Sequence, residues 1–142
     1  MFLTPASQIG LALTAIICLF AAWAGQRPQK VVAAIIFAGW IVSAAGEDRS
    51  FLRPQFFTMG VDIVLTIVFV SLAVIWRSLW LSVLAAFQTL TMATHFAMIL
   101  DPRIWPRASI TAYLVWSYMV VASLAWGGVS GLLDRRRTAG AR

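Results

Sequence analysis

Five apolar runs, each about as long as a lipid bilayer's hydrocarbon core is thick, dominate this 142-residue chain. A membrane-crossing helix needs about 20 mainly apolar residues. Residues 5–24, 28–45, 55–76, 79–100 and 107–133 meet that requirement, the second with the shortest strictly apolar part. Only 11% of the chain is charged, against about 25% in an ordinary soluble domain, so it lacks the groups to cover a water-facing surface. The expected fold class is all-α: a polytopic membrane protein, a bundle of about five transmembrane helices. Residues 1–133 form a single helical domain, and residues 134–142 a basic cytoplasmic tail.

The breaks between runs carry their own signals. Proline has no N–H to lose in a helix's first turn, and Pro5, Pro28, Pro54, Pro102 and Pro106 all stand at run starts, never inside one. Gly25 and Gly46 follow the first two runs, where a left-handed helix terminus is expected. Between Trp76 and Trp80 neither glycine nor proline occurs. A single helix over residues 55–100 would nevertheless be about 69 Å long, more than twice a core of about 30 Å. The chain must turn, and Arg77 between two tryptophans is the expected corner. No Lys or Arg occurs in the first five residues, so the first run reads as a retained helix rather than a cleaved signal.

With five crossings, Arg27, Lys30, Arg77, Arg135, Arg136, Arg137 and Arg142 fall on one side and Arg49, Arg53, Arg103 and Arg107 on the other. Glu47, Asp48 and Asp101 join the poorer side. The side richer in Lys and Arg faces the cytoplasm, which puts the N-terminus outside and Arg135-Arg136-Arg137 inside as a topology and headgroup anchor. The net charge of +6 therefore points to the lipid surface, not nucleic acid. Trp23, Trp76, Trp80 and Trp105 lie near helix ends, where indole favours the headgroup boundary. Trp40 and Trp116 lie deeper and are expected to pack between helices.

Two ionisable residues interrupt the apolar pattern. Asp62 is the one acid inside a run, and His95 is the one histidine in the chain. Counted from the Arg77–Ser78 corner, Asp62 lies 15 residues back and His95 17 forward, depths of about 23 and 26 Å. Thr58, Asp62 and Thr66 share one helical face, as do Gln88, Thr91 and His95 on the next helix. Thr66 and Gln88 also match in depth. Two polar stripes at equal depth on adjacent antiparallel helices are expected to meet, giving a candidate intramembrane cluster of Asp62, Thr66, Gln88, Thr91 and His95. Intramembrane ionisable groups often mark proton or substrate paths, but such polar contacts also serve as plain interhelical glue. Both readings stand at this point.

Other chemistry is poorly supported. Met92, His95 and Met98 offer ligand types that suit Cu(I), but a spacing of six positions turns the methionines away from each other. Haem or a chlorin magnesium on His95 is a further alternative; no cofactor and no metal is expected. The lone Cys18 has no disulfide partner within the chain. No phosphate-binding loop, dinucleotide fingerprint, serine elbow or HExxH pattern occurs, so an enzyme is not expected. Ser123, Gly127 and Gly131 form a small-residue stripe at spacing four that admits a close helix neighbour.

Over residues 54–127 the chain resembles small uncharacterised bacterial multi-spanning inner-membrane proteins. The likeness rests on Val61-Asp62-Ile63, Trp80, Gln88-Thr89-Leu90, His95 and Leu100-Asp101-Pro102. It departs from them in lacking a basic residue two or three positions after His95. The resemblance implies a multi-helix bundle in the bacterial inner membrane and no assigned activity. The leading expectation is an accessory or structural subunit that packs against other membrane proteins or itself. The alternative is a small transporter or proton-coupled channel lined by Asp62, His95 and Gln88.

Overall fold

The computed structural model describes residues 5–46, 56–100 and 106–140, and among them every regular element is an α-helix. The five are α1 (Pro5–Ala24), α2 (Arg27–Gly46), α3 (Phe56–Trp76), α4 (Leu79–Leu100) and α5 (Pro106–Gly140). The helices α3, α4 and residues 111–137 of α5 are long and apolar enough to cross a membrane, and α1 holds a shorter apolar stretch over residues 9–24. Pro54, Gln55, Asp101, Pro102, Trp105, Arg142 and the charged residues Glu47, Asp48, Arg49, Arg53 and Arg103 lie outside the described residues.

Each helix packs on the next, α5 returns to α1 to close the ring, and α2 touches α5 across it. The interior is filled by Val32 and Ile36 of α2, Phe69 of α3, Leu81 and Leu84 of α4, and Leu124 of α5. The outward faces are apolar too: Ile16, Leu19 and Trp23 on α1 and Ile67, Val74 and Ile75 on α3 are all exposed.

Arg77 makes the α3–α4 corner, as chain length demanded, and does so with a left-handed backbone (φ 47°). Its N–H still reaches the Ala73 carbonyl at 2.9 Å, the arrangement glycine usually supplies at a helix C-terminus. A non-glycine residue there costs on the order of 1 kcal/mol.

Three expectations need correction. Gly25 is not left-handed; no described glycine has positive φ. Its lack of a side chain matters for space instead, because a Cβ would lie 2.4 Å from both the Ala21 carbonyl oxygen and Gln29 Cβ. Trp80 lies at the start of α4 as expected, but its indole does not face outward: it is 6% exposed, lying where a Gly127 side chain would otherwise be. Finally, α5 does not stop near Leu133 but continues to Gly140. Neither glycine nor proline interrupts residues 132–139, and the arginines suit the negative end of a helix dipole.

Candidate functional site

Near the start of α3 and the end of α4, the two polar stripes face each other. Asp62 is 5% exposed, and Thr58, Thr66, Gln88 and Thr91 are likewise buried. Gln88 Nε2 donates to Asp62 Oδ1 at 3.0 Å. His95 Nε2 stands 3.0 Å from Asp62 Oδ2. Both carboxyl oxygens are thus engaged from α4, one by an amide and one by an imidazole.

The arrangement constrains the proton. One hydrogen must lie between Nε2 and Oδ2 for the 3.0 Å contact to be favourable. With a second hydrogen on Nδ1, the pair is net neutral whether written as carboxylate and imidazolium or as acid and imidazole. Neutrality matters in an apolar surrounding, where an isolated ion is costly.

The threonines play a different part. Thr66 Oγ1 donates to the Asp62 carbonyl at 2.7 Å and lies 3.5 Å from the Gln88 carbonyl oxygen. Thr91 Oγ1 donates to the Phe87 carbonyl of its own helix at 3.0 Å. Thr91 shares the buried face but makes no hydrogen bond to Asp62. Such back-bonding satisfies a hydroxyl locally and lets it pack as a small apolar group. Tyr113 of α5 completes the surround, its ring edge-on to His95 with centroids 5.3 Å apart. One stretch further along, Phe87 and Trp116 stack at 6.2 Å.

The site is unevenly buried. The His95 side chain is 15% exposed and Asp62 7%, and His95 is five residues from the end of α4. In the other direction Phe69, Leu81, Leu84 and Leu124 are fully buried and fill the ring.

The small-residue stripe is spent inside the chain. A Cβ on Gly127 would meet the Trp80 ring at 2.6 Å, and one on Gly131 would meet Gln29 Nε2 at 3.1 Å and Gly25 Cα at 3.2 Å. Ser123 is buried and donates to the Met119 carbonyl at 2.8 Å. Of the three tail arginines, Arg135 turns back to donate to the Gly25 and Trp23 carbonyls. It therefore caps the C-terminal end of α1 with a cation. Arg136 and Arg137 are exposed.

Gln29, absent from the sequence-derived site, is 6% exposed. Its Oε1 accepts from the Gln26 N–H at 3.0 Å, and its Nε2 donates to the Gly127 carbonyl at 3.1 Å. The first contact is half of a capping box, a glutamine at the third helical position reaching back to the residue before the helix. The signal was present in Gln26-Arg27-Pro28-Gln29. Tyr113 carried no such signal, since only the packing of α5 brings it to His95.

Comparison with known proteins adds no relative: no family model, no curated protein and no solved structure matches the chain.

Proposed function

We propose that this chain is an integral protein of the bacterial inner membrane, crossed by all five helices, with its N-terminus outside and its arginine-rich end in the cytoplasm. Its role is that of a non-catalytic accessory or structural subunit, packing against other membrane proteins. The observation that carries this reading is the inward orientation of Asp62 and its partners, while outward hydroxyls such as Ser71, Thr89 and Thr94 bond back to their own helices. Asp62, Gln88 and His95 satisfy one another across α3 and α4, above a core closed by Phe69 and Leu84. The perimeter, with Leu19, Trp23, Ile67 and Val74 exposed, suits lipid and neighbouring helices. Because Gly127 and Gly131 are occupied from within, partner contact falls to these outward apolar faces. The positive excess on the Arg77 and Arg135 side supports the orientation.

A second reading draws on the partial exposure of His95. A residue one to two turns from a helix end and paired with a buried acid is suited to taking up a proton from one face of the membrane. It would belong to a small proton-coupled transporter or channel.

Isolation in a mild detergent, with identification of every co-migrating protein, pigment and metal, separates the readings. A defined protein partner at fixed stoichiometry is expected. A monodisperse homo-oligomer whose proton flux in vesicles is lost in Asp62→Asn would overturn the accessory role in favour of the second reading. A bound pigment or metal would overturn both.

A further inference from the structure

We propose that the outer groove between α3 and α4 is a binding site for one anionic phospholipid, its acyl chain lying against Val70, Val74 and Ala86 and its phosphate at Arg77 and the N-terminus of α4. This rests on the membrane reading above and names a ligand for a face that reading leaves to bulk lipid.

The groove starts at the Arg77 corner and runs to Val70 on one helix and Thr89 on the other. Seven and ten residues correspond to about 10 and 15 Å of helix, enough for the upper half of an acyl chain. It is a shallow depression, open along its outer side, which a hydrocarbon chain can lie along but which encloses no ligand. Small side chains, Ala73, Ala85 and Ala86, make the hollow.

Polarity is graded along it. Thr89 Oγ1 donates to the Ala85 carbonyl at 2.8 Å, so its hydroxyl is spent on its own helix and the deep end is effectively apolar. Ser82 does the same with the Ser78 carbonyl at 3.2 Å. The corner end is different. Arg77 is exposed and makes no side-chain hydrogen bond or ion pair among the described residues. The Ser78 hydroxyl oxygen is fully buried there without a hydrogen-bond partner. The first N–H groups of α4 also lack intrahelical acceptors, as at any helix start, and carry the positive end of its dipole. An exposed guanidinium and a helix N-terminus stand at the corner end of an apolar hollow, the unpartnered Ser78 hydroxyl lying beneath its surface. An anion with an attached hydrocarbon chain complements guanidinium, helix N-terminus and hollow alike, and a phosphate diester can accept from the guanidinium and from the free N–H groups.

The test uses the full chain in mild detergent, titrated with phosphatidylglycerol or phosphatidylcholine of identical chains and read by native mass spectrometry. One phosphatidylglycerol is expected to be retained in preference to phosphatidylcholine. Arg77→Gln should lower that preference about fivefold, the effect of one cation near an anionic headgroup, without changing phosphatidylcholine retention. Ala86→Phe, which fills the hollow from an exposed position, should weaken retention of both lipids while helicity is unchanged. Arg136→Gln, an exposed tail cation, should leave the preference intact. Equal retention of the two lipids by wild type would overturn the site, as would an Arg136→Gln effect equal to that of Arg77→Gln, or an Ala86→Phe variant that binds normally. Displacement by glycerol phosphate as effective as by the lipid would assign the corner to free phosphate esters instead. Release of the chain from vesicles by carbonate would defeat the membrane reading itself; a retained chain without lipid preference defeats only the site.

Discussion

Replacing Asp62 by Leu and by Asn asks separately for the hydrogen bonds and for the charge. Leucine removes both acceptors, leaving Gln88 Nε2 and His95 Nε2 without the partners they now hold at 3.0 Å each. A buried polar group left unpaired costs about 1–3 kcal/mol. The two together set an upper range of about 2–6 kcal/mol, reduced if either side chain rotates toward the nearby helix end. Asparagine keeps the shape. Its Oδ1 still accepts from Gln88, and its amide donates to His95 Nε2 once the imidazole carries its hydrogen on Nδ1. What is lost is the charge assistance, which roughly doubles a hydrogen bond's strength, so the expected cost is about 1 kcal/mol. Unfolding of the purified protein in detergent, followed by far-UV circular dichroism, measures both. Pairing each with His95→Phe gives the coupling, expected at about 0.6 and at most about 2 kcal/mol for a contact inside a bilayer. Additive losses for Asp62→Leu and His95→Phe would refute the contact. An Asp62→Leu variant as stable as wild type would refute the cluster as a structural element.

Two further substitutions test the packing that the cluster sits on. Gly127→Ala should destabilise by about 1–3 kcal/mol, as overpacked cores do, because its methyl would lie 2.6 Å from the rigid Trp80 ring; Gly60→Ala, whose methyl meets nothing within 4 Å, should be tolerated in the same thermal melt. Gln29→Leu should cost about 1–3 kcal/mol, by leaving the Gln26 N–H without its acceptor and removing the cross-helix hydrogen bond to the Gly127 carbonyl, and should speed hydrogen exchange at Gln26.

Helix positions were readable because apolar run length and proline placement are local properties. The meeting of Asp62 with Gln88 and His95 was readable for a related reason. A short antiparallel hairpin sets depth by counting from its corner, and a helix sets its face by spacing. Both counts needed only the turn at Arg77, which length alone required. The fate of Trp80, Gly127 and Gly131 was hidden because a small-residue stripe says that a neighbour approaches, not which one. Only the closing of α5 onto α4 and α1 decides it. Arg135 shows the same limit. As a tail arginine it read as a headgroup anchor, yet the continuation of α5 carries it to the open carbonyls at the end of α1.

These contacts divide the bundle unevenly. Many of its hydroxyls, Thr14, Thr89, Thr91 and Ser123 among them, donate to carbonyls of their own helix, and so do nothing to select a neighbour. Among the described residues, side chains hydrogen-bond between helices at two separate places. Asp62, Gln88 and His95 join α3 to α4 at one; Gln29 and Arg135 join α2 and α1 to α5 at the other. Between them lie Phe69, Leu84 and Leu124, whose packing is non-directional. In a bilayer, lipid competes well for apolar faces and polar contacts decide which helices pair. The apolar middle then supplies close packing while the two polar places supply register. The helix α5 takes part at both, through Tyr113 against His95 and through Gly127 and Arg135. A shift of α5 along its axis must therefore disturb the Asp62 cluster and the α1–α2 corner together, whereas a disturbance confined to Gln29 leaves the α3–α4 pair intact.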